Sequence, residues 1–276
     1  MKKLLLIDGH NLLFQMFYGM PSRITNARGE PIQGTLGFTG ALLRIVRLLE
    51  PTHIAVLFDG EHENPRAAID PDYKANRAAD DRETPFGQLP DVYRVLDHLG
   101  IAHTEIAVGE TDDAIAAYAR KYASELEIFI VSQDSDYYQL IGETVRIVRY
   151  RGDLTTVCCA NFVQDKFGIT PAQYADFKAL IGDKSDNIRG APKIGPKTAA
   201  ALLHQFGSLE AILTRSDEIT KPSIRASVIR NAERLRTNYR LIRLQNIPAL
   251  PFPLDDLQYT LPAITTNEVL KNIGLK

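Results

Sequence analysis

Residues 3–7 read Lys-Leu-Leu-Leu-Ile, a short apolar run that is followed at once by a carboxylate, Asp8. Two later runs have the same form, His53–Phe58 (HIAVLF) and Glu127–Val131 (EIFIV). Each run is rich in branched residues and lacks alternation, which is typical of strands buried on both faces of a parallel sheet. The three runs therefore predict the centre of an α/β fold.

Amphipathic helical patterns lie between these runs, at Thr35–Glu50, Gln88–Leu99 and Thr111–Ala123. Strands that alternate with helices predict a doubly wound, mostly parallel sheet flanked by helices. The segments Thr144–Tyr150 and Leu154–Cys158 flank Arg-Gly-Asp, which favours a hairpin at the sheet edge.

The strand patterns stop near residue 160, and the chain becomes helical. We expect an α/β core over residues 1–159, a helical region over 160–245 and a loosely structured tail over 246–276 with a final short helix. The predicted helices of the middle region are Ala160–Phe167, Pro171–Ile181, Pro196–Gln205, Leu209–Leu213 and Ser223 to about Leu244.

The composition is that of a globular protein, since 45% of the 276 residues are hydrophobic and 24% are charged. No apolar run approaches the ~18 residues of a membrane span, and the run after Met1 is too short for a signal peptide. The adjacent Cys158 and Cys159 cannot form a framework of disulfide bridges. We expect a cytoplasmic monomer that contacts no membrane.

Charge is unevenly distributed along the chain. The net charge is −2, but between Asn187 and Arg240 ten basic residues stand against four acidic ones, a local balance of +6. A basic face beside an acidic pocket suits a metal-dependent enzyme that acts on polyanions.

One long connection, Gly60–Gln88, has few large aliphatic residues and carries several cations. A connection of this length without an apolar stripe is either a functional lid or a disordered segment. We favour the lid, because the segment leaves directly from the end of a predicted core strand.

Carboxylates follow all three predicted core strands, at Asp8, at Asp59 and, after Ser-Gln, at Asp134. Ligands of open α/β sheets bind at this edge, and carboxylates gathered there repel one another unless a cation is present. Further acids form doublets elsewhere; they are Glu110, Asp112, Asp113, Asp136, Asp183 and Asp186. An all-oxygen ligand set favours Mg²⁺ or Mn²⁺, and the number of acids predicts two sites.

The stretch Gly190–Thr198 is interpreted as a hairpin between two helices. Its two glycines allow tight turns, and Pro196 suits the first turn of the second helix. Exposed N–H groups there can hold a DNA phosphate, helped by Lys193 and Lys197.

Together these residues resemble the 5′-nuclease or flap endonuclease family, which includes the 5′→3′ exonuclease domain of bacterial DNA polymerase I. The resemblance extends to about residue 245. It rests on Leu-Ile-Asp8-Gly, Leu-Phe-Asp59, Tyr73-Lys74-x-x-Arg77, Gly109-Glu110-x-Asp112-Asp113, Asp134-x-Asp136, Gly182-Asp183-x-x-Asp186-Asn187 and Gly190-x-Pro-x-Ile194-Gly195-x-Lys197-Thr198-Ala199.

The resemblance implies a PIN-like core, a helical arch at about residues 60–88 and a helix-hairpin-helix at about residues 171–206. Its first metal would be held by Asp8, Asp59, Glu110 and Asp112, with Asp113 near, and its second by Asp134, Asp136, Asp183 and Asp186. Lys74 and Arg77 would neutralise the scissile phosphate, and Tyr73 would stack on a base. The implied DNA-binding residues are Arg66, Gly190, Lys193, Ile194, Gly195, Lys197 and Thr198, with K⁺ bound at the hairpin.

The implied activity is that of a stand-alone, two-metal 5′ nuclease acting on DNA that has a 5′ flap or a 5′ single-stranded end. One alternative is a branched-DNA-binding protein whose acids bind metal without turnover. Another is a metal-dependent ribonuclease on a similar core. The intact set of nine acids favours an enzyme, and the basic hairpin favours duplex DNA. The chain departs from the polymerase I domains at Phe14-Gln15, where Tyr-Arg is usual.

Overall fold

The computed structural model describes residues 2–20, 24–60, 65–75, 84–245, 247 and 249–276. A six-stranded sheet forms its centre, in the order β3-β2-β1-β4-β5-β6. All neighbours are parallel except β5 and β6, which are antiparallel. The strands are β1 (Lys3–Asp8), β2 (His53–Asp59), β3 (Ala102–Ile106), β4 (Glu127–Val131), β5 (Val145–Arg149) and β6 (Thr156–Cys158). The predicted parallel core and its edge hairpin are confirmed.

The strand β3 was absent from the sequence expectation. Its sequence, Ala-His-Thr-Glu-Ile, is mostly polar and is largely half-buried, because it forms the outer edge of the sheet beside β2. An edge strand needs only weak apolar patterning, so its sequence resembles that of a loop.

Two layers of helices cover the sheet, and the alternation of side chains in β1 separates them. Leu5 and Ile7 face one apolar layer, while Leu4 and Leu6 face the other. The helices of the α/β half are α1 (Gly9–Gly19), α2 (Gln33–Leu49), α3 (Leu89–Leu99) and α4 (Thr111–Tyr122). Helix α1 is a further element that the sequence expectation lacked.

The C-terminal half is helical, as predicted. Its helices are α5 (Ala160–Phe167), α6 (Tyr174–Ile181), α7 (Pro196–Phe206), α8 (Leu209–Thr214), α9 (Pro222–Arg230) and α10 (Ala232–Ile242). The single helix expected from Ser223 to about Leu244 is wrong, because Asn231 separates α9 from α10. Strands also continue beyond residue 160, since β7 (Gly182–Asp183) pairs with β8 (Ile188–Arg189).

The tail has little regular structure before its final short helix, and that helix is present as predicted. That helix, α11 (Thr266–Asn272), begins with a capping box formed by Thr265 and Glu268. Val269 and Leu270 are fully buried against the layer that contains α2 and α3. These few apolar residues anchor a proline-rich segment whose sequence periodicity is weak.

The proposed lid is described only in part, because residues 61–64 and 76–83 lie outside the described residues. Within residues 65–75 there is a 3₁₀ turn, Pro65–Ala68. The arch therefore stays a prediction. None of the helices in the described ranges is both long enough and apolar enough to cross a bilayer.

Candidate metal centre

Four aspartates and one glutamate line one cavity of about 480 Å³ at the carboxyl edge of the sheet, and the aspartates form a group. They are Asp8, Asp59, Asp112 and Asp134, and we name them the first acid group. Asp8 and Asp59 end β1 and β2, Asp112 lies in the first turn of α4, and Asp134 follows β4. The cavity is also lined by His10, Asn11, Phe14, Gly60, Lys74, Phe86, Leu89 and Glu105.

Asp8 is held by neutral donors. Its Oδ1 caps α1 by accepting a hydrogen bond from the Asn11 N–H at 3.0 Å, which is why the strand passes directly into a helix. Its Oδ2 accepts a bond of 3.1 Å from the Ser132 hydroxyl. The same hydroxyl accepts the Asp134 N–H at 3.0 Å, so Ser132 links two of the four acids.

Asp112 accepts a hydrogen bond of 2.6 Å from the hydroxyl of Tyr137, which is fully buried. The Tyr137 hydroxyl also lies 3.4 Å from Asp8 Oδ2. A buried phenol between two carboxylates fixes their spacing but supplies no positive charge.

The electrostatics of this group favour a bound cation. Burial raises the pKa of Asp8 to about 7, and the neighbouring Asp59 and Asp134 contribute to that rise. Burial, with the charges of Asp134 and Asp8, also raises the pKa of Asp112. Crowded, desolvated carboxylates are the oxygen ligands that Mg²⁺ and Mn²⁺ take, so the donor set fits a divalent cation.

Asp59 differs from its neighbours. Burial opposes its ionisation, but hydrogen bonds from His10 and Thr111 outweigh that effect and lower its pKa. The Thr111 N–H, at the start of α4, lies 2.9 Å from Asp59 Oδ1. His10 Nδ1 lies 3.8 Å from Asp59 Oδ2, so this histidine lines the cavity and contacts one of its acids.

A second acid group consists of Asp136, Asp183 and Asp186, whose carboxylate oxygens lie within 4.8 Å of one another. Lys178 Nζ lies 3.1 Å from Asp136 Oδ1 and forms a shorter bond with Asp183. Burial raises the pKa of Asp136 to about 7, and Asp134 contributes to that rise. Asp136 Oδ1 is buried and lies against the Lys178 ammonium, so a metal ion at this group must displace or share that contact.

Asp134 lies in the first cavity, although the resemblance implied a place with the second metal. Its Oδ1 accepts the Asp136 N–H at 2.8 Å. This bond therefore joins the two groups, since Asp134 belongs to the first and Asp136 to the second.

Two implied site residues, Asp113 and Arg66, form a buried ion pair with each other. Arg66 is 3% exposed; it pairs with Glu110 and, at 2.9 Å, with Asp113. Asp113 also accepts the Gln245 N–H at 2.7 Å. Arg66 is therefore buried against two carboxylates, Asp113 shares that pairing, and the implied contact of Arg66 with DNA stays a prediction.

Lys74 lies in the wall of the cavity that contains the first acid group, and its implied contact with the scissile phosphate stays a prediction. Its Nζ donates to Glu110 at 2.6 Å, and its N–H donates to the Asp186 carbonyl at 3.0 Å. Tyr73 is 8% exposed within the apolar core, and its implied stacking on a base stays a prediction. Arg77 lies outside the described residues.

The hairpin needs Gly190 for a reason other than ligand contact. A Cβ on Gly190 would lie 2.2 Å from the Ile181 carbonyl carbon, and one on Gly182 would lie 2.4 Å from Gly190 N. The backbones cross there at a distance that only glycine allows. Ile194 is 5% exposed, so its side chain belongs to the core and not to a DNA-facing surface.

The other implied DNA-binding residues lie at the surface. Lys193, Gly195 and Lys197 are exposed, and Thr198 is half-buried in the first turn of α7. The Lys193 backbone has a left-handed φ of 68°, as a tight turn demands.

Sequence reasoning missed Lys178, Ser132 and Tyr137. A lysine within a predicted helix has no local pattern that marks it as buried between acids. Tyr137 directly follows Asp136 and Ser132 is two residues before Asp134, and that proximity was the available signal.

The fold and the site define a class: α/β proteins with a cation-binding acidic centre at the carboxyl edge of a mostly parallel sheet and a helical hairpin beside it. The family model described as the 5′-3′ exonuclease N-terminal resolvase-like domain matches residues 3–168. The model described as the 5′-3′ exonuclease C-terminal SAM fold matches residues 169–265. The chain belongs to the 5′-3′ exonuclease family.

Among curated relatives, the thermostable DNA polymerase I of Thermus aquaticus is 35% identical over 92% of this chain. The match covers 29% of that polymerase, so the chain spans less than a third of its length.

Two solved structures share the fold. One is the flap endonuclease of bacteriophage T5 with DNA and metal ions, which has a TM-score of 0.71 and 22% identity and covers 88% of this chain and 89% of that one. The other is the catalytic core of Rad2 with a DNA substrate, which has a TM-score of 0.58 and 16% identity and covers 92% of this chain and 83% of that one.

Proposed function

We propose that this chain is a metal-dependent, structure-specific 5′ nuclease that hydrolyses phosphodiester bonds in DNA carrying a 5′ flap or a 5′ single-stranded end. The observation that carries the proposal is the pair of acid groups at the sheet edge, joined through Asp134 and Asp136. Family membership and the DNA-bound structural neighbours support it.

The proposed cofactors are two Mg²⁺ or Mn²⁺ ions, one for each acid group, and K⁺ at the hairpin. Bound divalent ions would supply a nucleophile at neutral pH and stabilise charge on the phosphate. Asp8, Asp59, Asp112 and Asp134 would hold one ion, with Glu110 at the margin. Asp136, Asp183 and Asp186 would hold the other.

The chain's own cations act on the phosphate. Lys74 lies in the wall of the cavity, and its bond to Glu110 holds the ammonium beside the acids without burying it fully. From there it offsets negative charge that develops on the scissile phosphate. We assign the same role to Arg77.

For aromatic contact with a base we propose two rings of the cavity, Phe86 and Phe14, in place of the buried Tyr73. Phe86 is 51% exposed, and its ring lies 5.3 Å from that of Phe14, edge to face. Both rings line the same cavity as the first acid group and suit an unstacked base.

The proposed contact with the duplex binds backbone phosphates and no base edges, and it is formed by Lys193, Gly195, Lys197 and Thr198. We further propose a cytoplasmic monomer that acts in DNA replication or repair. Its domains would be a nuclease core over residues 1–159, with the arch at about residues 60–88, a helical region over 160–245 and a tail over 246–276.

The decisive test is cleavage of a 5′-end-labelled flap duplex in Mg²⁺ and in EDTA, beside a blunt duplex and a single strand. We expect Mg²⁺-dependent release of the flap near its junction. Changing Asp134→Ala with Asp136→Ala should abolish cleavage while flap binding stays within about tenfold, because DNA contacts lie mainly elsewhere. Tight flap binding by the wild type without cleavage in Mg²⁺ or Mn²⁺ would instead establish a DNA-binding protein.

A further inference from the structure

A second cavity of about 700 Å³ lies away from the acidic centre and contains three arginines. Arg120 comes from α4, while Arg240 and Arg243 come from the end of α10 and the residue after it. Ile69 and Tyr239 line the same cavity. We name this the arginine pocket.

One arginine of the pocket is held in place by backbone groups. The Arg120 guanidinium donates to the Leu244 carbonyl at 2.9 Å and to the Gln245 carbonyl at 3.0 Å. These bonds fix a long side chain that would otherwise lose conformational entropy when it binds a ligand.

The other two arginines are exposed, and Arg243 lies near enough to the buried Asp176 for its charge to lower the pKa of that carboxyl, against the larger effect of burial. Within the described ranges, neither Arg240 nor Arg243 forms an ion pair, whereas Arg236 on the same helix pairs with Glu210 and Glu233. Burial lowers the pKa of Arg120, and the charge of Arg243 lowers it further. Like charges gathered on one concave surface are stabilised by an anion.

The pocket connects to the acidic centre through a short series of bonds. Gln245 donates its N–H to Asp113, Asp113 pairs with Arg66, and Arg66 pairs with Glu110. Helix α4 spans the two sites: Asp112 lies in its first turn, and Arg120 follows at roughly 12 Å along the axis. The two sites therefore lie about two turns of one helix apart.

Apolar groups beside the guanidiniums favour a single strand over a duplex. The Tyr239 ring lies under the Arg243 guanidinium at 5.9 Å, and Ile69 is half-buried beside it. Cations that follow a backbone, together with apolar surfaces for unstacked bases, are the features that bind single strands. On the basis of the proposed function, we infer that the arginine pocket binds phosphates of the single-stranded 5′ tail of the substrate.

The test compares two fluorescent DNA substrates with the same duplex, one with a single-nucleotide 5′ flap and one with a flap of about ten nucleotides. Binding is measured in EDTA over a range of salt concentrations. Changing Arg240→Gln with Arg243→Gln should weaken binding of the long flap by about tenfold and reduce its salt slope by about one unit. Binding of the short flap should stay within about twofold.

Two control variants complete the design. Arg44→Gln removes an exposed arginine that pairs with Asp153 and should leave both substrates unaffected. Arg240→Lys with Arg243→Lys keeps the charge and should restore most of the salt slope.

Two outcomes would overturn the inference alone. The first is an equal loss of affinity for both substrates, which would mean that the pocket binds the duplex. The second is an unchanged affinity for both substrates. A wild-type protein that binds neither flap DNA would overturn the proposed function, and this inference with it.

Discussion

In the first acid group, the donors to Asp8, Asp112 and Asp134 are hydroxyl and backbone N–H groups, whereas in the second an ammonium, that of Lys178, lies among the carboxylates. Neutral donors orient carboxylates but cannot cancel their charge. A buried ammonium cancels part of it. Although burial opposes that charge, the neighbouring Asp136 outweighs it and raises the pKa of Lys178, so the lysine stays charged.

This difference indicates that, within the described ranges, a metal ion at the first group meets no bonded ammonium, whereas at the second group it competes with Lys178. Burial raises the pKa of Asp8 and Asp112 in the first group and of Asp136 in the second, but among the described residues only the second group has an ammonium bonded to its carboxylates. In the second group a metal ion must displace Lys178 or share Asp136 and Asp183 with it. We therefore expect the first group to bind Mg²⁺ or Mn²⁺ more tightly than the second.

The largest expected effect is on catalysis by the first group. Asp8→Asn removes a charged ligand while keeping the shape and the cap of α1, and should lower the rate of flap cleavage by about a thousandfold. Single-turnover cleavage in Mg²⁺ measures this. Asp165→Asn, an exposed change on α5, is the matched control. A loss of less than about tenfold would remove Asp8 from the centre.

The next largest effect is expected when the ammonium is removed from the second acid group, so that its carboxylates, like those of the first group, have no bonded ammonium in the described part of the chain. Lys178→Met leaves buried carboxylates without their cation and should lower the free energy of unfolding of the metal-free protein by about 3 kcal/mol. Mn²⁺ should then restore more stability than it adds to the wild type. Urea unfolding with EDTA or Mn²⁺ measures both quantities. Lys271→Met at an exposed position serves as the control. If Mn²⁺ stabilises variant and wild type equally, Lys178 and the metal do not compete.

The pH dependence of stability offers a third test. Asp8 and Asp136 have folded-state pKa values of about 7, above the ordinary value of 3.8. Between these values the folded protein holds more protons than the unfolded chain, so the metal-free protein should lose stability as pH rises from about 4 to 7. We expect a fall on the order of 2 kcal/mol from about pH 5 to about pH 8 in EDTA.

Bound Mn²⁺ should reverse that trend, because it favours the ionised carboxylates and competes with protons. Unfolding curves at the two pH values, with EDTA and with Mn²⁺, give the comparison. Asp8→Asn should reduce the fall seen in EDTA. A metal-free stability that rises over this pH range would contradict the assignment of a crowded acidic centre.

The sequence predicted the carboxylates better than the groups that hold them. Parallel strands must end at one edge, so the acids at the ends of β1 and β2 could be placed together from their positions along the chain. Lys178 reaches the acids only through the packing of α6, which no local pattern reports. The burial of Arg66 could not be predicted for the same reason, since a cation in a polar connection resembles a solvated side chain until its partners are known.

Weak patterning explains the missed fold elements. The edge strand β3 pairs on one side only, so it needs little apolar sequence. The C-terminal segment is anchored by a few residues of α11, and its prolines obscure any period. In both places tertiary contacts, and not local preference, determine the conformation.

The smallest expected effect concerns the support of the second group. Asn238, 4% exposed on α10, donates its amide hydrogens to the carbonyls of Ala179 and Arg189, which flank the loop that carries Asp183 and Asp186. Asn238→Ala leaves both carbonyls unpaired and should cost about 2 kcal/mol of stability. It should also weaken Mn²⁺ binding at the second group, while the first group keeps its affinity. The measurement is the rate of cleavage as a function of Mn²⁺ concentration. Asn161→Ala, on the exposed side of α5, controls for the substitution. Equal weakening of both sites would mean that Asn238 supports the whole centre and that the two groups do not respond independently.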